Sequence, residues 1–93
     1  MIASFKNKGL QELFNNGKTL KLPQERLKKI RAVLAVLDSA VEARDFNVPA
    51  YRLHKLKKPP LEGMYSIDIS GNFRIVFGFK DGKVTNVDYL DTH

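Results

Sequence analysis

The stretch GMYSIDISGNFRIVFGFKDGKVTNVDYL, residues 63–90, decides the architecture. In its first third Tyr65, Ile67 and Ile69 alternate with Ser66, Asp68 and Ser70. A period of two, apolar inward and polar outward, is the pattern of a strand with one buried side. Ser70-Gly71-Asn72 turns the chain. Phe73, Ile75, Phe77 and Phe79 then face one way, and Arg74, Val76 and Gly78 the other. Lys80-Asp81-Gly82-Lys83 is a hairpin signal, and residues 84–89 supply the last strand. A two-residue Asp81-Gly82 turn pairs Phe79 with Val84 and Phe77 with Asn86, which puts Asn86 and Asp88 on the phenylalanine face. A three-residue loop with a bulge at Gly82 slips the register by one. It brings Val87 and Tyr89 to that face and leaves Asp88 beside Arg74, so the bulge is the better reading.

Upstream of these strands the periodicity changes. Residues 2–5 are apolar enough for a short strand. Leu10, Leu13 and Phe14 mark one face of a short helix that Gly17 ends. Pro23 suits the first turn of a second helix, although Leu22 is a poor cap for it. Leu27, Ile30, Leu34, Leu37 and Val41 form a continuous apolar stripe, so the spacing predicts a helix over residues 23–43. Residues 43–50, with Pro49, read as an irregular connection. In YRLHKLKK, residues 51–58, Tyr51, Leu53 and Lys55 share one side of a strand, and Arg52, His54 and Leu56 the other. Pro59 and Pro60 exclude a central strand after it. The expectation is one α+β domain spanning residues 1–93. It has an N-terminal strand and two helices packed on one face of a mostly antiparallel sheet of about four strands. The other face then carries His54, Arg74 and the polar end of the last strand.

Composition narrows the function. The chain has 93 residues and no cysteine, so it has neither a disulfide framework nor a thiolate metal site. Hydrophobic residues make up 43%, too many for a disordered chain. No apolar run reaches the length of a membrane span, and no signal-peptide core is present. A cytoplasmic protein is expected. The net charge is +6 and it is clustered. Lys18, Lys21, Arg26, Lys28, Lys29 and Arg31 surround a single acid, Glu25, and Arg52, Lys55, Lys57 and Lys58 have no acid among them. Such clusters fit a phosphate backbone, or simply a solvated basic surface.

There is no phosphate-binding glycine loop, nucleophile elbow or metal-ligand spacing, and no cofactor is expected. What remains is His54, His93, Asp91, Arg74 and the lysines. That set suits metal-independent RNA cleavage. A base takes the proton of the ribose 2′-OH, cations stabilise the phosphorane-like transition state, and an acid protonates the 5′-oxygen. Histidine titrates in the range these proton transfers need, and fixed Arg and Lys supply the electrostatic part. Each residue also has a plainer reading. His54 is then a surface strand residue, His93 a frayed end, Arg74 half of an ion pair with Asp88, and the lysines a solvated run.

The chain resembles the HigB toxins, within the RelE/ParE superfamily of bacterial type II toxin–antitoxin systems. The resemblance runs through MIASFKNKGLQELFNNGK, LAVLDSAVEARDFNVP and YRLHKLK, is densest in GMYSIDISGNFRIVFGF, and ends in DYLDTH. It implies a RelE-like fold and a ribosome-dependent mRNA endoribonuclease that enters the A site and blocks translation. It also implies a cognate HigA-like helix-turn-helix antitoxin, with operator DNA bound only through the toxin–antitoxin complex. Carried over by motif, His54 matches a catalytic histidine and Asp91 and His93 the terminal acidic and histidine positions. Lys57 matches a substrate-contacting base and Arg74 the strand arginine. Asn72 lies at a turn and is read as structural.

Two departures stand out. Many relatives end in Asp-Tyr-His, whereas Thr92 stands here and offers a hydrogen bond but no ring. Relatives also tend to carry a basic residue in the strand before the turn, where this chain has Asp68 and Ser70, so a phosphate contact is either lost or taken over by Lys55 or Lys58. Two other functions compete with the nuclease. One is a ParE-like toxin that poisons a protein such as DNA gyrase and cuts nothing. The other is an RNA- or ribosome-binding module whose basic patches are its whole function.

Overall fold

A computed structural model of the chain describes residues 1–91. Helix α1 spans Lys8–Asn16. Asn7 caps it, its side-chain oxygen accepting from the Leu10 amide at 2.9 Å. Gly17 closes it in the left-handed conformation at φ 71°, and the amides of Gly17 and Lys18 donate back to Leu13 and Glu12. Helix α2 spans Leu27–Ser39, entered through a short 3-10 turn at Gln24–Arg26.

The expected helix over 23–43 is therefore shorter at both ends. The C-terminal trim has an identifiable cause. The Asp45 carboxylate accepts from the amides of Val41 at 2.8 Å and Glu42 at 2.9 Å, diverting them from helix into a 3-10 turn at Ala43–Phe46. Val41, counted in the apolar stripe, is 72% exposed. The short turn instead drives Phe46 into the core, edge-on to the rings of Tyr65, Phe77 and Phe79 at 5.0–5.3 Å. Three edge-to-face partners make it the aromatic centre of the fold.

The sheet has four antiparallel strands in sequential order: β1 His54–Lys55, β2 Tyr65–Ser70, β3 Phe73–Lys80 and β4 Lys83–Asp91. Ile67, Ile75, Phe77, Val84 and Val87 pack with Leu10, Ile30, Leu34 and Leu37 in one core cluster, so both helices cover one face, as expected. Strand β1 is only two residues long. Pro49–Tyr51 forms a 3-10 turn instead, and Arg52 follows it at φ 50°.

The register problem of the last hairpin resolves differently from the expected bulge at Gly82. The turn is the two-residue one, with Lys80 opposite Lys83 and Phe79 opposite Val84. Asp81 and Gly82 both have positive φ, which suits the right-handed twist of the strands. The slip comes later in β4. Gly78 pairs with Thr85 but Val76 with Asp88, so Asn86 and Val87 together oppose Phe77. Asn86 takes the left-handed conformation at φ 53°. This placement buries Val84 and Val87 alike, which a bulge in the turn cannot do. Ile75 then faces Tyr89, and Asp88 falls on the side of Arg74.

The bulge also explains why residues 2–5 are not a strand. They run parallel to β4 but touch its ladder at isolated points, Ile2 to Val84 and Phe5 to Val87. The Ser4 hydroxyl accepts from the Asn86 amide between them at 2.9 Å.

Candidate functional site

The site is built on the sheet face that the helices do not cover. In an antiparallel sheet, residues directly opposite share a face. His54 opposes Ser66, Ser66 opposes Val76, and Val76 opposes Asp88. One row thus crosses all four strands with His54 at its exposed edge. Two residues along, Asp68 opposes Arg74 and Arg74 opposes Leu90.

The segment between β1 and β2 folds back on itself, with the Leu56 amide donating to Met64 and the Gly63 amide to Leu56. Pro60, Leu61 and Met64 then line a groove of about 480 Å³ with Val76, Lys6, Asn86 and Asp88. Ser66, expected to face outward, is on this side but fully buried, and its hydroxyl has no hydrogen-bond partner among the described residues.

Charge gathers around Asp68. Its two oxygens face two guanidiniums: Arg74 Nε lies 3.5 Å from Oδ1 and Arg52 Nε 3.6 Å from Oδ2. Arg74 was expected beside Asp88. Cross-strand pairing between β2 and β3 gives it Asp68 instead, while Asp88 faces the groove and accepts from the Tyr89 amide at 2.9 Å.

The sequence-derived site residues divide as follows. His54 and Arg74 share the uncovered face. Lys57 and Lys58 are exposed in the segment just after β1. Lys55 opposes Tyr65 and so takes the other face, its ammonium 5.6 Å from the Tyr65 ring. Asp91 is exposed and opposes Phe73. By alternation it sits on the side of Phe73 and Tyr89, away from Arg74. Thr92 and His93 lie outside the described residues, and with them the expected meeting of His54 and His93. Arg52 was placed on the His54 side by alternation but not counted among the site residues. Its signal was that parity, in a strand-like run too short to be a strand.

The second basic cluster belongs elsewhere. Arg26 stacks over Phe73 at 4.1 Å and contacts Glu25 at 2.9 Å, and Lys21 approaches Glu12 at 3.7 Å. Phe73 and Tyr89 stack at 5.4 Å on this helix-covered side, where burial pushes the Tyr89 phenol above its usual 10.0. Among the described residues no cluster of three or more His, Cys, Asp or Glu side chains is placed to hold a metal ion. No helix of the described chain is long and apolar enough to cross a membrane.

Comparison with known proteins gives this face a context. A family model described as "RelE-like toxin of type II toxin-antitoxin system HigB" matches residues 3–93. The Endoribonuclease HigB of Proteus vulgaris is 40% identical over 93 residues, covering all of both chains. Toxin HigB-1 of Vibrio cholerae serotype O1 is 29% identical over 94 residues, covering all of this chain and 98% of that one. Among solved structures, the YoeB-YefM complex from Staphylococcus aureus matches with a TM-score of 0.55 at 24% identity, over 97% of this chain and 95% of that chain, and so shares the fold. The expected family is borne out, and a toxin of such a system has an antitoxin as its partner. The chain belongs to the HigB-like family, the RelE-like toxins of type II toxin–antitoxin systems.

Proposed function

We propose that this toxin is an endoribonuclease that cuts mRNA on the ribosome and thereby stops translation. The observation that carries the reading is the uncovered sheet face itself. It sets His54 in the row beside a half-buried Arg74, in a chain 40% identical over its whole length to a protein named an endoribonuclease. The ribose 2′-OH attacks the adjacent phosphorus in line, and the 5′-oxygen leaves. The products are a 2′,3′-cyclic phosphate and a 5′-hydroxyl. His54 and His93 divide the general-base and general-acid roles, with Asp91 orienting His93. Arg74 and Lys57 stabilise the charge that builds on the phosphate oxygens, and Lys58 and Thr92 contact the RNA. The toxin acts in the cytoplasm, in the ribosomal A site, until a HigA-like helix-turn-helix antitoxin restrains it.

The test is induction of the parent and of His54→Ala in growing cells, with primer-extension mapping of mRNA ends. The parent arrests growth and leaves cuts within translated codons. His54→Ala loses both, by about 10²-fold or more in rate if one proton transfer is removed. Parent-like cuts from His54→Ala sink the assignment of His54. DNA damage without RNA cuts by the parent sinks the nuclease reading in favour of a gyrase-type target.

A further inference from the structure

Resting on the nuclease reading, we infer that Arg52 is a second guanidinium of the substrate-phosphate site, and that Asp68 is a positioning residue which presets Arg52 and Arg74.

The first observation is conformational. Arg52 sits at φ 50°, ψ 54° after the Pro49–Tyr51 turn. For a residue with a side chain this costs about 1 kcal/mol or more, and glycine is the unstrained choice. The left-handed residue ends the 3-10 turn and sends the chain into β1 two residues before His54. The same step that delivers His54 to the sheet therefore brings a guanidinium to its side.

The second observation is the geometry around Asp68. Each carboxylate oxygen faces one arginine through Nε. The contacts are charge contacts rather than hydrogen bonds, and Asp68 Oδ1 and Arg74 Nε are buried without a hydrogen-bond partner among the described residues. The carboxylate meets each guanidinium at Nε, and a guanidinium carries five N–H donors, so donors remain for a phosphate. Arg52 is 74% exposed on its side chain, Arg74 35% and Asp68 22%. The carboxylate is thus the inner member of the trio and the arginines the outer ones. Two cations and one anion leave a net positive site, in a partly buried setting where charge is felt more than in bulk water.

The third observation is position. The Asp68–Arg74 pair lies two residues along β2 from Ser66, which opposes His54. Two strand residues span about 7 Å, within the reach of an arginine side chain. Lys55, one of the two lysines expected to supply a phosphate contact, opposes Tyr65 on the other face, whereas Arg52 stands beside Asp68 with Arg74.

Asp68 then has two opposed effects. It repels the incoming phosphate, and it fixes both guanidinium planes before the phosphate arrives, so that less side-chain freedom is lost on binding. A purely structural carboxylate would not separate these effects; a positioning carboxylate does.

Three variants test the inference by two readouts. Binding of a single-stranded RNA oligonucleotide is followed against salt, and single-turnover cleavage of mRNA is followed on programmed ribosomes. Arg52→Gly relieves the backbone, so melting should be no lower than the parent's. Its salt slope should fall by about 0.7, the value of one phosphate contact on a single strand, and its cleavage by about 10-fold or more. Arg52→Lys should restore the slope but not the rate. Asp68→Asn should lower kcat by about 10-fold while KM stays level or falls.

An Arg52→Gly variant with the parent's slope and rate overturns the role of Arg52. An Asp68→Asn variant that loses activity only in step with its melting temperature overturns the positioning role. A parent that cuts no RNA at all refutes the nuclease reading instead, and the salt slope still decides whether Arg52 contacts phosphate.

Discussion

The bulge at Asn86 sets which side chains of β4 reach the core and which reach the site, so it is the place to perturb the fold. Replacing Asn86 with valine puts a β-branched residue at φ 53°. Left-handed backbone costs such a residue about 1–2 kcal/mol. If the backbone relaxes to escape the strain, the 2.9 Å bond from the Asn86 amide to the Ser4 hydroxyl is lost in its place, about 1 kcal/mol. Either way the cost is about 1–2 kcal/mol. A chain of this length has about 5–14 kcal/mol of stability in total. At a urea slope of about 1–2 kcal/mol per M, the unfolding midpoint drops by about 0.5–2 M. Asn86→Gly tolerates the same φ freely and loses only backbone entropy, so it should stay within about 1 kcal/mol of the parent. Urea unfolding read by circular dichroism separates the two. Amide exchange should also show Lys6 and Asn7, which donate to the Val87 carbonyl, opening early in the valine variant alone. Equal midpoints for the valine and glycine variants would refute the argument, because the left-handed residue would then not be what holds the register.

Two further perturbations bear on the turn that precedes β1. Phe46→Ala removes a fully buried ring with three aromatic neighbours and should cost about 3–5 kcal/mol; a loss under about 1 kcal/mol in the same urea assay would mean the ring cluster does not anchor this turn. The Asp45 carboxyl is held below its usual 3.8 by hydrogen bonds from the Glu42 and then the Val41 amide, with desolvation opposing. A lowered folded value means the unfolded state binds more protons at acid pH, so the stabilisation is present above 3.8 and is lost as pH falls through the folded value. Asp45→Asn should therefore be less stable than the parent near neutrality and converge with it in acid; a gap that stays constant with pH would rule out the charge on Asp45 as the cause.

Periodicity made the helices, the three long strands and their shared apolar face legible, because burial acts on side-chain spacing that the sequence displays directly. The features that were not legible depend on partners distant in the chain. Phe77 and Val87 are both apolar, and the local signal at Asp81-Gly82 allowed either loop. The choice falls at Asn86 because Ser4, more than eighty residues earlier, holds that amide. Helix α2 overran in the reading because Val41 fits the apolar period. Nothing in that period shows that Asp45 will take the amides of residues 41 and 42. In the site, parity alone put His54, Arg52 and Arg74 on one side. Parity could not choose between Asp68 and Asp88 as the partner of Arg74, since both share its face. The pairing of β2 with β3, shifted between Asp68 and Ser70, made that choice.

The same distinction explains the character of the site. The helix-covered face is held by packing, with Ile75, Phe77, Val84 and Val87 wholly buried. Such a face has one arrangement, because close-packed side chains resist displacement. Among the described residues the other face has no helix. Its row of buried residues ends at Ser66 and Val76, and beyond them Asp68, Arg74 and Arg52 are held by contacts of 3.5–3.6 Å with hydrogen-bonding capacity unspent. His54 rests on a strand of two residues. The uncovered face keeps its backbone fixed by the packed core beneath it, and there the carboxylate of Asp68, not close packing, orients the two guanidiniums, so that less side-chain freedom is lost when a phosphate binds. The packed core and the charged surface are therefore two consequences of one asymmetry, a single layer of helices on a sheet with two faces.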